Sequence, residues 1–199
     1  MAAKEPTSPL ALLLAVFGYV YSTWNTIASE QRRARIERVN EQVKELYGPL
    51  LMCITSTKSA YDAMVRQISD GNAEVFEDAV KADPHSSQAV AYRDWVREVF
   101  MPLNQKAAEV LMERADLLET SVIEPLLQQL VAHVSVMRVI LKQWEKGNLT
   151  ASSAVSYPDE LHTLIQQQYL RVKRRQATLL GMTGPNRIKA DNHNPKARL

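Results

Sequence analysis

Between Glu5 and Glu30 the chain carries no formal charge, and from Leu10 to Tyr21 every residue except Gly18 is apolar or aromatic. This limits the fold more than any other feature, because a long apolar stretch has to be enclosed by something. A bilayer core about 30 Å thick takes roughly 20 residues of helix. Residues 9–28 supply that length, with Pro9 acceptable in the first turn, and the pattern predicts a single transmembrane helix there. Two other enclosures compete. A cleaved signal peptide has an apolar core of this size but needs a positive leading region, and residues 1–8 hold only Lys4, offset by Glu5. A core helix of a bundle in water would hide the same residues and bond Asn25 and the threonines internally.

The second half of the segment carries Ser22, Thr23, Trp24 and Asn25. Facing lipid, the polar ones are costly; they suit contact with a neighbouring membrane helix or the headgroup level, where Tyr19, Tyr21 and Trp24 also fit. Arg32, Arg33, Arg35 and Arg38 follow the segment, and only Lys4 precedes it. Positive residues stay on the inner side, so the C-terminal bulk is expected in the cytosol, matrix or stroma, with an organelle inner membrane such as the mitochondrial one the favoured location.

A length of 199 residues suits one ordinary domain, and 46% hydrophobic with 23% charged residues are globular values. One cysteine, Cys53, excludes an internal disulfide and any multi-cysteine metal site. The net charge of +2 hides an asymmetry: residues 171–199 hold eight Lys or Arg against Asp191, which makes +7 there and −5 over residues 1–170.

After the apolar segment the periodicity is helical. Ile36, Val39, Val43, Leu46, Leu50 and Cys53 form a heptad seam, which packs within the chain or zips against a partner. Gly48 and Pro49 predict a kink or break, with a second helix from about Leu50 to Ser69 ended by Asp70, Gly71 and Asn72. A short amphipathic helix around Val75, Phe76 and Val80 precedes a loop at 83–87. The next helix runs from Gln88 to Leu118, bent or divided at Pro102. Ser121 and Glu124 resemble a capping box ahead of a helix starting near Val122. That helix has two apolar seams, Leu126, Leu130, His133, Met137, Ile140, Trp144 and Leu127, Val131, Val134, Leu141, which predict contacts on two sides. Leu161, Ile165, Tyr169 and Val172 mark the last helix. The fold class is therefore all-α: the transmembrane helix over 9–28, a bundle of five or six helices over 29–180, and a flexible basic tail over 181–199 behind the short segment 1–8.

Chemical motifs are missing. The six glycines form no dinucleotide or phosphate loop, and no His pair or Glu-x-x-His has metal-binding spacing. No catalytic residue, metal or cofactor is expected. His133 reads as a core histidine satisfied by a neighbour and Cys53 as a buried inert thiol. Trp95 and Trp144 read as packing anchors ahead of a ligand pocket. Arg171, Lys173, Arg174 and Arg175, like Arg32, Arg33 and Arg35, are candidates for anionic lipid or an acidic partner, each cation adding about 1 kcal/mol at an anionic surface; nucleic acid is the less favoured partner.

Residues 38–51 (RVNEQVKELYGPLL), 95–104 (WVREVFMPLN), 130–134 (LVAHV) and 143–147 (QWEKG) resemble a family of uncharacterised helical proteins of bacteria and unicellular eukaryotes, over about residues 38–181. The family has no assigned activity, so the resemblance implies an all-helical fold and nothing more. The functional expectation is a non-enzymatic accessory or assembly subunit of a larger membrane complex, touching lipid and the other subunits. The alternatives are a soluble or peripheral helical adaptor and a bundle that binds a small ligand; self-association is left open.

Overall fold

The structure, a computed structural model, describes residues 9–120 and 122–182, and every regular element among them is helical. The chain divides into two units, one of residues 41–174, the other of 9–40 and 175–182 among the described residues.

The second of these is built on α1 (Pro9–Glu41), a rod of 33 residues. The transmembrane helix expected over 9–28 is not an element of its own: α1 continues past it, and no helix among the described residues is long and apolar enough to cross a membrane. The cluster of Ser22, Thr23, Asn25 and Thr26 dilutes the apolar run in its second half. The core-helix alternative does not hold, because the large apolar side chains from Leu10 to Ile27 are exposed. Near its other end, Val39 is buried and Ile36 half-buried. There the last turn of α7 (Leu161–Leu179) meets it. Arg32 donates to the Leu179 carbonyl at 3.3 Å, a cation on a helix C-terminus, and Gln176 donates to the Asn40 side-chain oxygen at 2.7 Å.

In the larger unit, the kink or break expected at Pro49 and the bend or division expected at Pro102 meet the same local feature, a π-helical turn just ahead of each proline. α1 passes through a π-helical turn, Gln42–Tyr47, into α2 (Gly48–Ser69). The same happens between α4 (Ser87–Trp95) and α5 (Met101–Glu113), through the π turn Val96–Phe100. In each case the residue before the proline donates five residues back, Gly48 to the Val43 carbonyl and Met101 to the Val96 carbonyl. The wider turn carries the chain past the proline, which has no N–H and would crowd a carbonyl of a regular helix. A repeat underlies this: residues 43–50 read VKELYGPL and residues 96–103 read VREVFMPL. The two copies feed α2 and α5, the pair of helices with the most extensive mutual packing.

Around that pair, α3 (Ala73–Ala82) lies on α2 and α4, and α6 (Pro125–Glu145) lies on α5. Asp70 and Gly71, with φ of 50° and 89°, turn the chain out of α2; Asn72 then caps α3 by accepting from the Val75 N–H. Ser86 caps α4 through the Ala89 N–H. A 3₁₀ turn, Ala115–Leu117, follows α5. α6 opens at Pro125, its cap Glu124 making no side-chain bond; Ser121, the other half of the expected capping box, lies outside the described residues, as do 1–8 and the tail from 183. Leu127, Leu130, Val134, Met137, Ile140 and Trp144 are buried, so both seams of α6 face inward. On α7, Leu161, Ile165 and Val172 are buried, with Gln168 in place of the expected Tyr169.

Candidate functional site

The larger unit contains a cavity of about 550 Å³, a size typical of small-molecule sites. It opens where the inward faces of six helices, α2 to α7, and the 146–160 connection diverge. Ile54, Val96, Phe100, Met101 and Met137 give it apolar walls, and Val96 and Phe100 come from the second π turn. Such turns displace side chains from regular helical positions and recur at functional sites. Here the turn also brings residues five apart onto one face, so Trp95 stacks on Phe100 at 6.1 Å and 29° between planes. Phe100 in turn meets Tyr61 of α2 at 6.3 Å.

The polar groups fall into two sets. Thr57 and Asn104, both buried, sit where α2 crosses α5. Thr57 Oγ1 lies 3.0 Å from the Cys53 carbonyl and 3.2 Å from the Asn104 side-chain oxygen. One hydroxyl proton cannot serve both, and a backbone carbonyl can only accept. The hydroxyl therefore ties the Cys53 carbonyl and the Asn104 side chain together at the crossing, donating to one of them at a time. At the mouth are Lys58, Asp62, Glu77, Asp159 and His162, with Lys58 Nζ 3.5 Å from Asp62.

Three tyrosines line the space between. Burial holds the Tyr92 phenol above its ordinary range, and it pushes Tyr157 up to about 12, helped by Asp159. Tyr61 is raised by burial and then by Glu77, Asp159 and Asp62, so its hydroxyl feels three carboxylates from three elements. All three rings are neutral phenols at ordinary pH. His133 Nδ1 lies 2.8 Å from the Val155 carbonyl, which can only accept, so Nδ1 carries a proton and donates it there. Its ring meets Tyr157 edge to face at 5.7 Å. The expected satisfied histidine is found, and it lines the cavity too.

The tryptophans do not. Trp144 donates to the Ala151 carbonyl at 2.8 Å and packs against Tyr92, an anchor as expected. Cys53 is half-buried; burial pushes its thiol up, against a smaller downward pull from Lys106, a cation that the sequence had not placed beside it. Among the described residues no cluster of three His, Cys, Asp or Glu is arranged to hold a metal ion.

Of the residues singled out for surface contacts, Ser22, Thr23, Trp24 and Asn25 are exposed on α1, along with Arg32, Arg33 and Arg35. Arg175 belongs to the same unit, whereas Arg171, Lys173 and Arg174 belong to the other. Arg171 pairs with Glu119 at 3.9 Å. The basic residues named together thus divide between two units, although the first group shares α1 and the second shares α7. Sequence reasoning missed Thr57, Tyr61, Asn104 and Tyr157. One signal was present: on α5, Asn104 interrupts the otherwise apolar inward row of Met101, Ala108 and Leu111.

Fold and site define an all-helical protein with an exposed apolar helix and an aromatic-lined cavity. No family model matches the chain, and no curated protein or solved structure matches it either.

Proposed function

We propose that this chain is a non-enzymatic accessory subunit of a membrane complex, held there by the N-terminal half of α1. The observation that carries the reading is exposure. Eleven large apolar or aromatic side chains between Leu10 and Ile27 stand 49% to 75% exposed. Consecutive positions such as Leu12, Leu13 and Leu14, 100° apart, turn them to every side of the helix. Fully burying one such side chain is worth about 1.5–3 kcal/mol, so water is a poor surrounding for the whole set. An amphipathic helix would need one wall; a helix apolar all round needs complete enclosure.

Hydroxyls on the same helix are hidden within it. Thr23 donates to the Tyr19 carbonyl at 2.9 Å, Thr26 to Ser22 at 3.0 Å and Ser29 to Thr26 at 2.9 Å. Back-bonding of this kind removes the donors that hydrocarbon would penalise. Asn25 keeps an amide to satisfy, and the helix falls short of crossing a bilayer unaided. A partner's membrane helix against Ser22 and Asn25 supplies both the bond and the missing apolar cover. The arginines from Arg32 onward then lie at the inner headgroups.

Alkaline carbonate extraction of native membranes tests the reading. The chain stays with the pellet; release into the supernatant overturns membrane anchoring and leaves the soluble adaptor, with α1 enclosed by partner helices in water.

A further inference from the structure

We propose that the cavity of the larger unit binds a neutral aromatic ketone, a molecule of apolar rings whose carbonyl oxygen accepts hydrogen bonds from tyrosine hydroxyls. The site does not depend on how α1 is enclosed. Three features converge on it. First, the cavity holds donors without acceptors. Tyr61, Tyr92 and Tyr157 line it, and among the described residues none of their hydroxyls has a hydrogen-bond partner. A partly buried tyrosine ordinarily bonds its O–H. Tyr47, outside the cavity, accepts from the Glu119 N–H at 3.3 Å. Burial keeps the proton on all three cavity phenols, so each is a donor with nothing in the protein to donate to. The Tyr61 hydroxyl acts on that of Tyr92, which places the two close together; one carbonyl oxygen has a lone pair for each.

Second, the rings that carry these hydroxyls are held in place. Tyr61 leans on Phe100 at 6.3 Å between centroids, Tyr92 meets Phe76 edge to face at 5.8 Å, and Tyr157 meets His133 in the same way at 5.7 Å. Donors fixed before a ligand arrives cost it little ordering. Ile54, Val96, Met101 and Met137 supply apolar wall between them, and thioethers beside ring edges suit an aromatic guest. A hydrocarbon fills such walls as well as a ketone does; only the ketone also satisfies the hydroxyls.

Third, the charges at the mouth are answered by the protein itself. Asp62 pairs with Lys58 at 3.5 Å and Glu77 with Lys81 at 3.2 Å, so these acids do not call for a cation. A carboxylate is disfavoured further in, where Glu77, Asp159 and Asp62 already act on the Tyr61 hydroxyl. The ligand is therefore neutral.

The experiment uses the full chain in a maltoside detergent, with probe uptake by empty micelles subtracted. Benzophenone is titrated beside diphenylmethane, the same two rings without the carbonyl, and 4-benzoylbenzoate, the same ketone with a negative charge. Benzophenone binds about tenfold more tightly than diphenylmethane, as two hydrogen bonds of ordinary strength require, and more tightly than the carboxylate. Replacing the donors together, Tyr61→Phe, Tyr92→Phe and Tyr157→Phe, keeps every ring. It removes the preference for the ketone and leaves diphenylmethane bound as before. Location is read on the native chain, without any substitution. Under near-ultraviolet light the benzophenone carbonyl takes a hydrogen from a neighbouring C–H and the two carbon radicals join, so mass spectrometry finds the label on Met101 or Met137. Equal affinity of ketone and hydrocarbon for the native chain, no binding of any probe, a label confined to α1, or an undiminished preference in the triple variant overturns the proposal.

Discussion

Gly48 carries a constraint that no other described glycine shares. A Cβ built there falls 2.6 Å from the Val43 carbonyl oxygen, backbone that cannot swing aside. In an ordinary helix, replacing glycine with alanine stabilises by up to about 1 kcal/mol; here Gly48→Ala destabilises by about 1–3 kcal/mol, because the π turn must open to admit the methyl. Denaturant midpoints of the purified protein check it. Gly18→Ala, with nothing within 4 Å of the added carbon, follows the ordinary rule and does not lower the midpoint. Tyr157 gives a second residue-level expectation. Its phenol has an ordinary value of 10.0 and is pushed up to about 12 by burial. Between those values the folded protein keeps the proton that the unfolded chain has lost. Stability from burying the neutral ring is therefore complete below pH 10 and is lost as the pH climbs towards 12. Tyr157→Phe flattens the fall of the thermal midpoint in that window without abolishing it, since Tyr47, Tyr61 and Tyr92 are shifted the same way.

At the scale of elements, Ser22 and Asn25 separate anchoring from assembly. Replacing both by leucine lengthens the apolar run of α1 and removes the groups offered to a neighbour. The variant stays with the membrane pellet in carbonate but no longer migrates with its complex on a native gel. Undiminished co-migration would place the partner contact elsewhere. Seams were the part of the fold most legible in the sequence. The positions Leu130, Met137, Ile140 and Trp144 on α6, and Leu161, Ile165 and Val172 on α7, are buried as their spacing predicts. At the prolines the sequence marked the place but not the form, because the rule against proline in a helix assumes α geometry, and a π turn ahead of Pro49 and of Pro102 suspends that assumption. The clue was the recurrence of VKELYGPL as VREVFMPL, which makes two local accidents into one device used twice. The cavity was not legible. Periodicity tells which face of a helix turns inward; it is silent on where six inward faces fail to meet, and the lining from Ile54 to Thr163 spans most of the unit.

For the whole molecule, charge and chain direction together specify a side. Residues before α1 carry a single cation offset by Glu5, whereas Arg32, Arg33, Arg35 and Arg38 follow its apolar half, so anchoring by α1 leaves the bundle on the positive side of the bilayer. A reporter for that side is already present. Asn148, Leu149 and Thr150 form a glycosylation sequon in the turn after α6, where Asn148 and Thr150 are both exposed. Gly147, with φ of 86°, makes the turn, and the Asn148 side chain donates to Gln143 while accepting from Thr150, each at 3.1 Å. These surface bonds exchange readily with water, so nothing in the fold shields the acceptor from a glycosyltransferase. Expressed into glycosylation-competent membranes, the native sequon stays unmodified, and a sequon added ahead of residue 1 is modified. The reverse pattern, with glycan on Asn148 and none on the added site, puts the bundle in the lumen and inverts the orientation that the arginines imply. Glycan on both sites means that α1 holds nothing across the bilayer.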